Sequence, residues 1–288
     1  MILSVASGKG GTGKTTFAVN LALSLPEESV ELIDCDVEEP NVHLFIKPEI
    51  HRVTSVGIPV PRVDESRCTY CGKCAEVCEY HALAVFLKTV LVFDELCHGC
   101  GACAYLCPEK AIHEVEREIG IVREGKANEI AFVNGVLHIG EPMASPLIRR
   151  VKQKLQRGKT VILDAPPGTA CPVIETVKGS DFCVLVTEPT PFGLNDLELA
   201  VGMLKKLNTP MGVVVNKADV GDRKVWDYCA SQKIPVLMEI PMDRNIAECY
   251  SKGVPFILEK GSYRLRFQEF FEKLEKLHGA IRRNPGTE

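Results

Sequence analysis

Ser7-Gly8-Lys9-Gly10-Gly11-Thr12-Gly13-Lys14-Thr15-Thr16 is the stretch from which the fold can be read. An apolar run over residues 1–6 precedes it and reads as a buried strand. Phe17-Ala18-Val19-Asn20-Leu21-Ala22-Leu23 follows it and reads as the first turns of a helix. Strand, glycine-rich loop and helix are the context of a phosphate-binding loop. Counted from Gly8 the spacing is G-x-x-x-x-G-K-T. Gly8, Gly10, Gly11 and Gly13 let the backbone turn tightly, so that consecutive N–H groups face one anion. The Lys14 ammonium adds to that cradle at the β- and γ-phosphates, and the Thr15 hydroxyl reaches a magnesium ion. Thr12 and Thr16 complete the contacting loop, and the helix N-terminus favours the negative charge.

Working outward, Val30-Glu31-Leu32-Ile33-Asp34-Cys35-Asp36 reads as a second buried parallel strand running into Asp-x-Asp. Its carboxylates then lie at the C-terminal edge, where open α/β sheets bind ligands. Capping of a loop or helix is the plain alternative for such a carboxylate. Val161-Ile162-Leu163-Asp164-Ala165-Pro166-Pro167-Gly168-Thr169 is a further apolar strand ending in Asp.

Lys9 departs from an ordinary phosphate loop, which needs no second lysine so early. With it, K-G-G-T-G-K-T-T resembles the deviant loop of the MinD/Mrp, ParA chromosome-partitioning and nitrogenase iron-protein ATPases. The resemblance implies a homodimer that closes on two nucleotides, with Lys9 reaching the partner's nucleotide. It also implies that Asp36 orients the attacking water and that Asp34 supports magnesium through water. Asp164 would then hold the magnesium shell, and the Pro-Pro-Gly loop would sense the γ-phosphate, a common conversion of nucleotide state into shape.

The composition changes after residue 63. Cys68-x2-Cys71-x2-Cys74-x3-Cys78 is followed by Cys97-x2-Cys100-x2-Cys103-x3-Cys107-Pro108. This internal repeat resembles a bacterial ferredoxin with two 4Fe–4S clusters, in which the fourth cysteine of each run serves the other cluster. Cys68, Cys71, Cys74 and Cys107 are therefore assigned to one cluster, and Cys78, Cys97, Cys100 and Cys103 to the other. Zinc prefers paired knuckles closing on four ligands, and the third cysteine at the same short step argues against it. Glu79 stands where the pattern has proline after Cys78, which bears on exposure and potential but removes no ligand. Residues 82–93 read as a hairpin or strand pair over the clusters. Asn134-Gly135 is a hairpin signal on the way back to the parent sheet. Val53–Val63, broken by Pro59 and Pro61, reads as an edge strand or a connection leaving the sheet.

The parent domain resumes with a helix over 145–156, whose Arg149, Arg150, Lys152 and Lys154 read as a solvated face. Cys171 lies in the loop after Asp164; the nitrogenase iron protein uses a cysteine there to bridge a cluster, but that family needs two, and a free or buried thiol fits better. Asn216-Lys217-Ala218-Asp219 ends another strand. That tetrad reads guanine in many GTPases, whereas in MinD-like proteins the asparagine sits beside adenine. ATP is favoured, with GTP open at this point. Pro241 and Asp243 resemble the family's base-flanking loop. Cys35, Cys183, Cys229 and Cys249 read as small core residues.

The length of 288 residues is long for one domain and short for two large ones, and the net charge of −4 gives no footprint for nucleic acid. Thirteen cysteines, eight of them in metal-spaced runs, suit a cytoplasmic chain with reduced thiols. No apolar run approaches the roughly 18 residues of a membrane span. The helix over 265–281 carries Glu269, Glu272 and Glu275, so packing on the domain is expected over lipid binding.

The expectation is an α/β fold: a doubly wound, mainly parallel sheet of residues 1–63 and 114–288, interrupted by a ferredoxin-like insert at 64–113. The expected activity is slow, magnesium-dependent ATP hydrolysis coupled to a redox or metallocofactor partner. ATP-gated electron transfer comes first, cofactor carriage second and MinD-like positioning third.

Overall fold

The computed structural model describes residues 1–283. β1 (Ile2–Ala6) enters α1 (Lys14–Ser24) through the glycine loop, and β2 (Val30–Asp34) leads to α2 (Val42–Ile46). β3 (Glu49–Val63) then runs outward to α3 (Lys73–Glu76), β4 (Leu83–Phe86), β5 (Thr89–Val92) and α4 (Ala102–Leu106). β6 (Ile112–Ala127) returns antiparallel to β3, and β7 (Ile130–Leu137) rejoins the parallel strands beside β2. After α5 (Ser145–Lys152) come β8 (Thr160–Asp164), α6 (Cys171–Val177), β9 (Phe182–Thr187), α7 (Pro191–Lys206) and β10 (Met211–Asn216). The chain closes with α8 (Lys224–Ser231), β11 (Val236–Ile240), α9 (Arg244–Ser251), α10 (Phe256–Glu259) and α11 (Ser262–Arg283).

Among the described residues these strands form one nine-stranded sheet, ordered β11-β10-β9-β1-β8-β2-β7-β6-β3, and a separate β4–β5 pair. Seven strands in mutual parallel register carry near-continuous apolar runs, because helices cover both of their faces. On one face Phe17 of α1 meets Phe267 and Phe270 of α11 at centroid distances of 5.4 and 5.1 Å. Phe267, Phe270 and Leu274 are buried there, so the apolar stripe of α11 is spent inside the protein. The opposite face packs Leu147, Ile148 and Val151 of α5, then Val173 and Val177 of α6, then Leu197 and Leu204 of α7.

β3 is an edge strand, the place where Pro59 and Pro61 leave no ladder donor missing. Two readings need correction. Asn134-Gly135 is no turn: both residues lie inside β7, and a Cβ on Gly135 would come within 2.5 Å of Val37, so the glycine serves a close approach. The reversal falls instead at Asn128, whose φ is 51°. The helix expected over 145–156 ends at Lys152, and Lys152 is not a solvated residue. Its Nζ donates to the carbonyls of Glu175, Thr176 and Lys178 at 2.7, 2.8 and 2.6 Å, capping the C-terminus of α6.

Candidate functional site

The phosphate loop crosses the C-terminal edge of the sheet between β1 and α1. Gly13, at φ 94°, starts the helix in a left-handed conformation that a side chain would strain. Gly8 lies against α7, where a Cβ would stand 2.2 Å from the Asp196 carbonyl oxygen. Parallel register sets Asp164 of β8 level with Asp34 of β2. Thr15 Oγ1 donates to Asp164 Oδ2 at 2.6 Å, while the buried Asp164 Oδ1 has no protein partner. A buried carboxylate oxygen left open beside the loop's threonine is a suitable ligand position for a hard cation.

Asp34 Oδ2 accepts from Asn41 and Val42 N–H at 2.9 and 3.0 Å, and Oδ1 from Asp36 N–H at 3.1 Å. Asp34 thereby ties down the chain from β2 to α2, and one lone pair of Oδ1 remains beyond those bonds. Burial raises the Asp34 carboxyl well above its usual range, with the Asp164 charge adding to the effect. Asp36 is half-buried; burial lifts it to about 6, against the Glu39 N–H and the Lys14 ammonium. Asp164 rises to about 7, again through burial, opposed by Lys14 and the Thr15 hydrogen bond.

These raised values fix a pH dependence. A carboxyl whose folded pKa lies above its unfolded value, near 3.9, favours folding when protonated. That stability is complete below the unfolded pKa and is lost as pH rises through about 6 for Asp36 and about 7 for Asp164. Nucleotide-free protein should therefore be less stable at pH 8 than at pH 5, by on the order of a few kcal/mol, and melt at a lower temperature. Magnesium nucleotide should flatten the trend, as thermal melts across pH would register; equal slopes with and without it would contradict the assignment.

On the far side of the loop Asn216 Nδ2 donates to the Thr12 carbonyl at 2.9 Å. Asp219 Oδ1 accepts the Met242 N–H at 2.6 Å, so the carboxylate that would read guanine is engaged by backbone. Pro241 follows β11 directly, and Asp243 caps α9 through the Asn245 N–H at 2.8 Å while pairing with Lys260. Lys9 Nζ stands 4.0 Å from Glu188 Oε2, and Lys217 Nζ stands 2.7 Å from Oε1 of the same carboxylate. Glu188 was not singled out by any motif; its one signal is its place just beyond the C-terminal end of β9. Gly168 N–H donates to the Ser7 carbonyl at 3.1 Å, joining the loop after Asp164 to the phosphate loop. Cys171, exposed, opens α6 immediately behind it.

The cysteine runs repeat in space as in sequence, with an offset of 29 residues from Cys68 to Cys97. Cys68 and Cys97 each accept an N–H from two residues on, Tyr70 and Gly99, at 3.4 Å. Cys78 and Cys107 each accept one from four residues on, Ala82 and Ala111, at 3.3 Å. Gly72 and Gly101, both at positive φ, start α3 and α4. Two chambers result. One is lined by Cys68, Cys71, Cys74 and Cys107; the other by Cys78, Cys97, Cys100 and Cys103. Among the described residues no three His, Cys, Asp or Glu side chains close on a single-ion site; the thiols border volumes instead. Burial lifts the Cys103 thiol to about 11 and raises Cys74 and Cys97 too, so their anions need a cationic partner.

Residues 3–256 match the CobQ/CobB/MinD/ParA nucleotide binding domain family. An uncharacterized protein of Methanocaldococcus jannaschii is 33% identical over 262 residues, covering 89% of this chain and 91% of its own. The iron-sulfur cluster carrier protein of Pyrococcus horikoshii is 24% identical, covering 99% of this chain and 89% of its own. The solved septum site-determining protein MinD of Pyrococcus horikoshii, complexed with Mg-ADP, aligns at a TM-score of 0.60 and 20% identity, over 97% of this chain and 98% of that one. At that identity the likeness concerns the fold. With its phosphate loop, its paired strand-end carboxylates and a family match over residues 3–256, the chain belongs to the CobQ/CobB/MinD/ParA nucleotide-binding family and is a P-loop ATPase of MinD/ParA type.

Proposed function

We propose that the protein is a dimerising, magnesium-dependent ATPase whose nucleotide state controls electron transfer from an inserted ferredoxin-like domain to a partner protein. Residues 1–63 and 114–288 make the ATPase domain, and 64–113 the insert. The observation that carries this reading is the division of eight thiols into two chambers, each taking three cysteines from one run and the fourth from the other. Four thiols around a volume, with backbone N–H groups on the sulfurs, suit a 4Fe–4S group, which supplies one-electron redox capacity when bound.

In the ATPase half, backbone N–H groups of Gly10, Gly11, Thr12 and Gly13 cradle the phosphates, and Thr16 adds its own at the helix start. Lys14 neutralises the charge that develops between the β- and γ-phosphates. Thr15 and Asp164 would hold magnesium, with Asp34 reaching its water shell through the free lone pair of Oδ1. Asp36, ionised at neutral pH with a pKa near 6, orients the attacking water and accepts its proton. Lys9 leaves Glu188 to reach the partner subunit's nucleotide. Asn216 and the 241–243 loop flank the base, and the engaged carboxylate of Asp219 favours adenine.

A second reading, cofactor carriage, is favoured by relatives named iron-sulfur cluster carrier proteins and by the exposed thiol of Cys171. Anaerobically isolated protein separates the two. Electron transfer predicts equal iron and acid-labile sulfide retained through ATP turnover, and reduction potentials that move with nucleotide. Unchanged potentials together with loss of iron to an apo-acceptor would replace it with the carrier.

A further inference from the structure

The internal repeat makes the two thiol chambers nearly equivalent. Each receives the same two sulfur-directed N–H bonds, at the same distances of 3.4 and 3.3 Å. Each is also lined by an antiparallel ladder pair at matching places in the repeat. In the chamber of Cys68 that pair is Val85 and Val90, from β4 and β5. In the chamber of Cys97 the residues 29 positions away take the same places: Glu114 stands for Val85, and Pro61 for Val90. The carboxylate of Glu114 reaches the chamber's wall, 3.6 Å from where a Cβ on Gly101 would lie. Among the remaining lining residues His98, stacked on Tyr80 at 3.5 Å, belongs to the Cys97 chamber, where the other chamber has Thr69. The Cys68 chamber carries Lys73 and Glu109, which balance, and the Cys97 chamber has Ala102 and Tyr80 at those positions. Asp94, next in line towards Cys97, pairs with Arg62 at 2.7 Å, and these two opposite charges both act on the Cys97 thiol.

Given two clusters held as proposed above, we propose that Glu114 makes the two chambers unequal, rendering the Cys97 chamber the harder of the two to reduce. An added electron raises the negative charge inside a chamber, and a carboxylate on its wall opposes that addition. The four sulfur-directed N–H bonds are matched between the halves and do not produce the difference, and Glu79, which follows Cys78 where Pro108 follows Cys107, stays constant through every variant below. The asymmetry has a direction in the fold. The Cys97 chamber abuts the strand pair that leads back to the ATPase sheet, Gly99 packing on Pro59. The Cys68 chamber takes Val63 and Ile112 from the outer end of that same pair and is otherwise backed by the hairpin β4–β5. Glu114 thus biases reducing equivalents towards the Cys68 chamber.

The test is an anaerobic redox titration of the full chain, followed by electron paramagnetic resonance, on wild type and on exchanges at Glu114 and its repeat counterpart Val85. Wild type should show two separate one-electron steps. Glu114→Val should raise the lower step by about tenfold in its reduction equilibrium, close to 59 mV for one electron, and leave the upper step in place. Val85→Glu should lower the upper step by a similar amount. Glu114→Gln, which keeps the shape and removes the charge, should reproduce Glu114→Val and decides the matter if the valine form loses iron. Two steps in the Gln variant with wild-type separation would overturn the proposal. Protein that binds no iron and sulfide at all would instead refute the two-cluster reading beneath it.

Discussion

Lys9→Ala should leave the protein binding one nucleotide per chain while abolishing both pairing and hydrolysis; Lys14→Ala should remove the binding itself. The two lysines lie five residues apart in one loop, yet their surroundings differ. Lys14 is 7% exposed, and its ammonium acts on both Asp36 and Asp164. Its removal leaves those carboxylates without a cation and the phosphates without their closest positive charge, which should lower turnover at least about a hundredfold. The Lys9 side chain is a third exposed, and its ammonium stands 4.0 Å from Glu188. That approach is loose, so the expected defect is in pairing and in the hydrolysis that needs it, with nucleotide binding kept. Light scattering with ATP and magnesium, beside nucleotide affinity on the same samples, reads both quantities. A Lys9→Ala protein that still pairs with ATP and turns it over would end the assignment of this lysine to the partner's nucleotide.

Most of this site was legible because its spacing is local. A glycine loop between a strand and a helix, Asp at the ends of two apolar strands, and cysteines three residues apart all report geometry within a few residues. What escaped depends on contacts distant in the chain. Lys152 reads as one more cation on a helix surface; only the fold brings the end of α6 to it, 23 to 26 residues away. Glu188 belongs to no motif, and its role follows from the approach of Lys9 and Lys217 from two other segments. Asn134-Gly135 misled for the opposite reason. The dipeptide has turn chemistry, but the strand needed a glycine against Val37, and Asn134 holds register with Asp34 across the sheet. In each case tertiary packing decided what local preference left open.

The crossing of the fourth cysteines yields the other large effect. If each run closed on its own metal, Cys107→Ser would disturb the site of Cys97, Cys100 and Cys103, its neighbours in sequence. The fold separates them: Cys107 follows α4 and lines the chamber of Cys68, Cys71 and Cys74, while Cys78 follows α3 and lines the other. Cys107→Ser should therefore remove about half of the iron and sulfide and abolish the signal of the Cys68 chamber, leaving that of the Cys97 chamber unshifted. Cys78→Ser should do the converse. Because Glu114 borders the Cys97 chamber alone, combining each serine variant with Glu114→Val identifies the survivor: its potential should rise in the Cys107→Ser background and stay fixed in the Cys78→Ser background. Loss of the set belonging to the mutated run, with the other intact, would show that the thiols close within runs. The chambers would then have to be redrawn around a different metal, zinc among the first to test.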